Sequence, residues 1–242
     1  MQPQEYIQLS NRNRFEDGKI IELIDRIRND GDAKLADIIQ EDKQLIERLR
    51  QHEDIHHTVE QNIFEGVKDR DPVLLEGGVY YGQMKGVVRD GYGLLYCLDE
   101  LNNSELFEGK WELGVPVRVK HSYIVNNEWC KGVGKVDSSY LFNGIAKWYC
   151  ENGEQFLGYW EKGQKNGYGE YKYRFGGKHQ GYWLIDEKHG LGKCTYRDGT
   201  YEFGEYKENE KYGEHKCFRN DGRIFALRNY KEEMMDDSHL DS

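Results

Sequence analysis

A glycine recurs every 23 residues through the C-terminal half of the chain, at Gly158, Gly181 and Gly204. A large aromatic residue stands two positions after each of these glycines, and another glycine stands nine positions after each. Three registers that keep one period indicate a small structural unit that is copied and stacked. Stacked units bury their apolar residues against their neighbours, so we expect function on a repeat surface and not in a deep pocket.

About six copies of the repeat are predicted within residues 80–222. The clearest copy reads Phe-x-Gly-x-Trp from Phe156, with a Gly-x-Gly pair following in the same copy. The earlier copies are irregular: an insertion occupies 98–105, and Arg118 and Lys120 stand where the second copy needs its paired glycines. The irregular copies and the N-terminal helices are where we expect the contacts that make this protein specific.

The chemistry of one copy favours two short strands. Each copy is too short for a helix pair, it is rich in aromatic residues and glycine, and Asp198-Gly199 and Asp221-Gly222 are turn signals. Paired glycines allow another side chain to approach the strand backbone, and we expect the aromatic residue five positions into a copy, either the same or a neighbouring copy, to cover that gap. The packing glycines are Gly82, Gly91, Gly93, Gly109, Gly158, Gly167, Gly169, Gly181, Gly190, Gly192, Gly204 and Gly213. The aromatic residues, expected to stack between copies or to form a candidate partner face, are Tyr80, Phe107, Trp111, Phe156, Trp160, Trp183 and Tyr206.

Tyr-x-Gly-x-Trp followed by Gly-x-Gly, at a 23-residue period, resembles the MORN repeat. The match is close at 156–171, good at 80–96 and 179–199, and partial at 107–114 and 133–149. The resemblance implies an extended array of β-hairpins. We therefore predict a mainly β fold: an elongated, single-layer, antiparallel β-hairpin repeat array with an N-terminal α-helical segment.

Five segments are predicted along the chain. They are an extended N-terminus at 1–14, two amphipathic helices at 15–66, a linker at 67–79, the repeats at 80–225, and a capping segment with an acidic tail at 226–242.

The second helix is predicted to run from about Ala33 to about Phe64, with Asp32 as its N-cap and an apolar stripe on one face. The stripe includes Leu35, Ile38, Leu45 and Leu49. Such a stripe must be buried, and four partners are open: the neighbouring helix, the repeat sheet, a second copy of the helix, or another protein.

Composition narrows the partner classes. The formal net charge is −10, which argues against nucleic acid, because nucleic acid selects a basic face. The five cysteines are odd in number and form no CxxC pair, so we expect reduced thiols in an intracellular protein. The first residues lack the apolar run of a signal peptide, and no transmembrane segment is predicted.

Two motifs resemble sites of chemistry. The residues from His52 to His56 fit HExxH, which binds zinc on a helix, but the longer zinc-protease pattern fails at Val59 and Asn62. The run from Gly132 to Lys135 resembles a phosphate loop without the full spacing. We interpret the first as a solvated helix face and the second as part of a repeat, so no catalytic residue, metal site or cofactor is predicted.

The expected function is therefore a non-enzymatic structural or scaffold subunit that binds other protein subunits of a large complex. MORN proteins without an enzyme domain resemble components of the cilium, flagellum, axoneme and cytoskeleton, and the resemblance implies that location. A membrane-associated adaptor with peripheral phospholipid contact is the alternative, and a regulator of an enzyme is a third reading. A near-neutral repeat body supports lipid binding only weakly.

Overall fold

The computed structural model describes residues 17–51, 55–59, 64–68, 71–86, 88–99 and 101–230. Three helices come first: α1 (Asp17–Asn29), α2 (Ala33–Glu41) and α3 (Lys43–Arg50). The strands within the described residues are β1 (Ile55–Val59), β2 (Phe64–Lys68), β3 (Asp71–Lys85), β4 (Val88–Leu98), β5 (Ser104–Glu112), β6 (Val115–Val125), β7 (Glu128–Val136), β8 (Phe142–Cys150), β9 (Gln155–Glu161), β10 (Gln164–Lys172), β11 (Lys178–Leu184), β12 (Glu187–Thr195), β13 (Tyr201–Lys207), β14 (Glu210–Phe218) and β15 (Ile224–Tyr230). The fold is mainly β and antiparallel, with helices near the N-terminus, as predicted.

The described residues form two compact bodies. The N-terminal body contains the residues up to Asn152 together with Trp160–Gln164, and its strands lie in the order β1-β3-β4-β5-β6-β7-β8, with β2 also paired to β3. The C-terminal body contains Gly153–Tyr159 and the residues from Lys165 onward, and its strands β10 to β15 lie in chain order. The residues of β9 are divided between the two bodies.

Hairpin turns connect the strands where Asp-Gly signals predict them. Gly199 has φ 84° and Gly222 has φ 85°, a region that favours glycine. The Asp198 carboxylate accepts hydrogen bonds from the backbone N–H and the hydroxyl of Thr200, at 2.9 and 2.7 Å. A short polar side chain therefore closes this turn together with the glycine.

The helix predicted from Ala33 to Phe64 is wrong. The segment is divided into two helices at Asp42, which is the C-cap residue of α2. The Asp42 side chain also accepts a hydrogen bond from the Leu45 N–H at 2.9 Å and so caps the N-terminus of α3. Beyond α3, Ile55–Val59 is a strand that pairs with β3. Asp42 is the one polar residue within the apolar stripe, and its capping role explains why the stripe passes from α2 to α3 there.

The linker predicted at 67–79 is also wrong over its described residues. Asp71–Lys85 is one strand, which pairs with β2 over its first residues and with β1 and β4 over its later ones. Gly77-Gly78 coincides with a register shift between Glu76 and Val79 in the β3–β4 pair. The glycines thus mark a bulge within a strand and not a domain junction. The segments 1–14 and 231–242 lie outside the described residues.

The expectation that all cysteines are reduced is corrected by a disulfide. Cys130 on β7 and Cys150 on β8 are direct partners in the sheet register, and a disulfide joins them, with Cα atoms 4.2 Å apart. Cys97 and Cys217 are buried free thiols, and Cys194 is half-buried. Spacing in sequence carried no signal for this pair, because the contact depends on strand register.

Candidate binding face

Several of the predicted glycines lie opposite one another across neighbouring strands, whereas Gly91, Gly167 and Gly190 lie opposite Trp111, Trp183 and Tyr206. Gly181 pairs with Gly192, and Gly192 pairs with Gly204. In the N-terminal body Gly93 pairs with both Gly82 and Gly109. A Cβ atom on Gly82 would lie 2.4 Å from the Gly93 Cα, so side chains are excluded there. We call the sheet face on which these glycines and the motif aromatics lie the motif face, and the opposite one the reverse face.

At three glycine pairs the covering ring is the first residue of the motif and not the fifth, whereas the ring over Gly204 is His215. A Cβ atom on Gly93 would lie 2.4 Å from the Tyr80 hydroxyl, and one on Gly169 would lie 2.3 Å from the Phe156 ring. His179 has the same role over Gly192, at 2.5 Å. The expectation that the fifth residue covers the gap is therefore wrong at these pairs, although Tyr206 of the following copy would lie 3.3 Å from a Cβ atom on Gly192.

The fifth residue instead contacts the first residue of the preceding copy. Tyr80 and Trp111 meet edge to face with ring centroids 5.4 Å apart, Phe156 and Trp183 at 5.3 Å, and His179 and Tyr206 at 4.7 Å. Edge-to-face contacts of this kind favour a fixed spacing between copies. The same edge-to-face contact occurs at three places, so the repeat in the sequence corresponds to a repeat in the side-chain packing.

The motif aromatics are consequently interior residues. Tyr80, Phe107, Trp111, Phe156, Trp183 and Tyr206 are all buried. Trp160 is half-buried and donates its indole N–H to the Ala146 carbonyl at 3.0 Å. These rings do not offer the candidate partner face that the sequence analysis allowed for them.

Lysines of one further register cover the motif face of the C-terminal body. Lys165, Lys188 and Lys211 are 23 residues apart and lie over Trp183, Tyr206 and Tyr230, with Nζ 5.0, 5.6 and 5.0 Å from the ring centroids. Lys211 and Arg228 also pair with the buried Glu202. Burial opposes ionisation of Glu202, but the hydrogen bond and the charge of Lys211 hold its pKa below the usual range. This face is closed by its own cation–π and ion-pair contacts.

The reverse face of the N-terminal body is covered by the three helices. Tyr81, Leu94, Tyr96 and Leu106 form one buried cluster with the helical aliphatic residues. Three residues of the predicted stripe, Leu35, Leu45 and Leu49, are fully buried in this cluster; Ile38 is half-buried and is not one of its members. Of the four partners that the sequence left open for the stripe, two are observed: the neighbouring helix α1 and the protein's own repeat sheet.

Polar groups fix α3 on that reverse face. Asp42 accepts from Lys120 at 2.9 Å, and Lys120 also pairs with Glu108 at 3.1 Å. Arg48 donates from Nε to Glu108 at 2.9 Å and to the Tyr92 hydroxyl at 3.0 Å. Burial opposes the charge on Asp42, but its hydrogen bonds from Lys120 and the Leu45 N–H hold its pKa below the usual range. The pairs are partly buried, so they are screened less than surface pairs.

The reverse face of the C-terminal body carries an exposed apolar row. Leu157, Tyr168, Tyr182 and Leu191 are 51–55 % exposed, and Leu227 is 62 % exposed. Its members, which we call the reverse row, are Leu157, Tyr159, Tyr168, Tyr182, Leu191, Phe203, Tyr212 and Leu227. Exposed apolar side chains that form a contiguous surface typically mark an interaction site.

The reverse row was not predicted from the sequence, although a signal for it exists. Leu157 and Tyr159 occupy the two x positions of Phe-x-Gly-x-Trp, and Tyr168 and Leu191 occupy the x of two Gly-x-Gly pairs. Side chains alternate between faces along a strand, so residues between motif positions must lie on the reverse face. Their apolar character was the detectable signal.

The structure does not support either of the two motifs that resemble catalytic or ligand-binding sites, HExxH and the phosphate-loop-like run. Ile55–Val59, which contains His56, is a strand and not the helix that HExxH requires, and 52–54 lies outside the described residues. Gly132 to Lys135 lies within β7, where a phosphate loop would lead from a strand into a helix. Among the described side chains no group of three or more His, Cys, Asp or Glu could hold a metal ion.

A polar cleft of about 410 Å³ lies in the N-terminal body beside the α1–α2 turn. Its acidic residues already have structural roles: Asp30 accepts from the Tyr96 hydroxyl, and Asp32 caps α2. Burial raises the pKa of Asp32 above its usual value, against its hydrogen bond from the Leu35 N–H. Both carboxylates are therefore engaged in contacts within the protein, and neither is available to bind a ligand in the cleft.

No protein-family model matches the chain, and no curated protein matches it significantly. The resemblance to MORN repeats thus stays a prediction from the residues. In the part of the chain that is described, none of the helices has the length and apolar character that crossing a bilayer requires.

Proposed function

We propose that this chain is a non-enzymatic scaffold subunit that binds protein partners through the reverse face of its C-terminal body. The observation that carries the proposal is the reverse row, whose apolar side chains are exposed. The equivalent face of the N-terminal body is buried under helices. An apolar face on which no helix of the described residues lies is suited to receive one from a partner.

The N-terminal helices have a different role in this proposal from the one expected at first. Their stripe is occupied by the sheet, so they act as a built-in cover and not as a second docking element. The resemblance to MORN repeats supports membership of a large ciliary, flagellar or other cytoskeletal assembly. That location rests on the resemblance alone.

Affinity purification of the full chain from its native cells tests the proposal. We expect Leu191→Ser with Phe203→Ser to remove the proteins that co-purify with the wild type, because both side chains are in the middle of the row. Phe175→Ser is the matched control: Phe175 is 78 % exposed but lies in the β10–β11 turn, outside the row. Unchanged co-purification with the double variant, or a wild-type protein that purifies only as a free monomer, would contradict the proposal.

A further inference from the structure

Three lysines of the reverse face share one defined register position. Lys120 pairs across the strands with Glu108, the residue before Gly109. Lys193 pairs with Gln180, the residue before Gly181, and Lys216 pairs with Phe203, the residue before Gly204. The three lysines are therefore equivalent positions of the repeat, one in the N-terminal body and two in the C-terminal body.

In the N-terminal body this position receives a helix. Lys120 donates to Asp42, the N-cap residue of α3, while Leu45 and Leu49 of the same helix are buried in the cluster with Leu94 and Leu106. One lysine and the neighbouring apolar side chains of the sheet thus bind a carboxylate and an aliphatic stripe that a single short helix presents together.

In the C-terminal body the same arrangement has no occupant from the described chain. Within the described ranges neither Lys193 nor Lys216 forms an ion pair; Lys193 lies over the Tyr201 ring, with Nζ 3.7 Å from its centroid. The two lysines flank Phe203 on neighbouring strands, and Lys216 is opposite Leu227 on its other side. Phe203 and Leu227 are both exposed.

We propose that the reverse face around Lys193, Phe203 and Lys216 binds an amphipathic helix of a partner protein that carries an aspartate or glutamate at its N-terminal cap and an aliphatic stripe behind it. The proposal rests on the proposed function and specifies its partner. Lys193 and Lys216 provide the cationic contacts for the acidic end of the helix, and the apolar row packs against its aliphatic stripe. The partner's helix lies on this sheet as α3 lies on the sheet of the N-terminal body.

A synthetic peptide of residues 30–51 is the probe, because it contains α2, Asp42 and α3. Labelled peptide is titrated against the full chain, and binding is followed by fluorescence anisotropy. We expect saturable binding below about 1 mM, and a loss of at least about tenfold with Lys193→Glu plus Lys216→Glu in the full chain. The peptide with Asp42→Lys should bind about as weakly, and should recover affinity for the double glutamate variant.

The possible results of these experiments separate the acidic-helix proposal from the proposed function and from other occupants of the face. No saturable binding, or equal binding of the peptide with Asp42→Lys, overturns the acidic-helix proposal. If Leu191→Ser with Phe203→Ser removes native partners while both lysine reversals leave them bound, the proposed function stands and this inference fails. Lysine-dependent binding to vesicles that contain anionic phospholipid, or a lysine-dependent dimer in sedimentation, would assign the face to a membrane or to a second copy instead. Phe175→Ser and circular dichroism control for folding.

Discussion

Leu94 in the N-terminal body and Leu157 in the C-terminal body both lie on the reverse face, yet Leu94 is fully buried and Leu157 is 54 % exposed. The repeat motif alone does not explain the difference, since both residues are adjacent to a motif glycine. What differs is the cover: α1 to α3 lie on one body's reverse face and no described helix lies on the other's. The packing on the motif face therefore stabilises the hairpins in both bodies, while the cover on the reverse face determines which surface is open for binding.

The largest expected effect tests that comparison directly. Leu94→Ala should lower the free energy of unfolding by about 2–5 kcal/mol, because it leaves a cavity under the helices. Leu157→Ala should change it by less than about 0.5 kcal/mol, because its side chain is largely in water. Urea denaturation of both variants measures the difference. Equal losses would mean that the two reverse faces are covered alike.

The disulfide is a second asymmetry, since Cys130 and Cys150 belong to the N-terminal body. Cys150→Ser should lower the free energy of unfolding by about 3 kcal/mol, because the unfolded chain gains a loop's freedom. Cys194→Ser, in the C-terminal body, is the matched control and should have a smaller effect. Urea denaturation with and without reductant measures the contribution of the disulfide to the free energy of unfolding. Detection of five free thiols by mass spectrometry would contradict the pairing.

The polar anchor of α3 gives the third effect. Asp42→Ala should cost about 2 kcal/mol, from a lost helix cap and a lost partly buried ion pair, whereas Asp42→Asn keeps the cap and should lose about half of this. Because the pKa of Asp42 is lowered by folding, its contribution is present above the unfolded pKa and is lost as pH falls through the folded value.

Lys193→Met is the control for that anchor. Lys193 occupies the equivalent position but has no carboxylate partner in the described chain, so its loss should leave stability nearly unchanged. A stability loss as large as that of Lys120→Met would show that the C-terminal body has a cover of its own. Thermal and urea unfolding at pH 7 and pH 3 measure both variants.

The smallest effect concerns the motif face. His179 is buried between Trp183 and Tyr206, and neither ring nitrogen has a hydrogen-bond partner among the described groups. Burial and the charge of Lys188 lower its pKa to about 4. His179→Phe, which copies Phe156, should stabilise the protein by about 1 kcal/mol at pH 7, because it removes an unpaired buried polar group.

The gain should grow as pH falls from the unfolded pKa of about 6.5 towards 4, because the unfolded histidine binds a proton that the folded one does not. Unfolding curves across this range measure it. His189→Phe, at an exposed position on the neighbouring strand, should leave the pH dependence in place. A variant as acid-sensitive as the wild type would mean that His179 is not the group responsible.

Much of the motif face was predictable because its information is local. The glycine and aromatic periods indicated hairpins, and Asp198-Gly199 indicated a turn that is present. The ring that covers the glycines was assigned to the wrong motif position, since choosing between Phe156 and Trp160 requires the direction of each side chain. The helix boundary at Asp42 was misjudged because a stripe can continue across two helices that share a cap.

The reverse face was predictable only in part. The alternation of side chains places Leu157 and Leu191 there, but their exposure depends on what lies over them, and sequence alone does not say how far three helices extend over a sheet. The disulfide and the Lys120 anchor are contacts between distant residues, so they required strand register.

The repeating unit, its strands and turns, and the sharing of faces between side chains follow from residue spacing and backbone preferences, so they are encoded locally. Which face is covered depends on contacts between residues far apart in the chain. In the N-terminal body, Leu35, Leu45 and Leu49 of the helices pack against Leu94 and Leu106 of the sheet and cover its reverse face. In the C-terminal body, the row from Leu157 to Leu227 remains exposed to solvent.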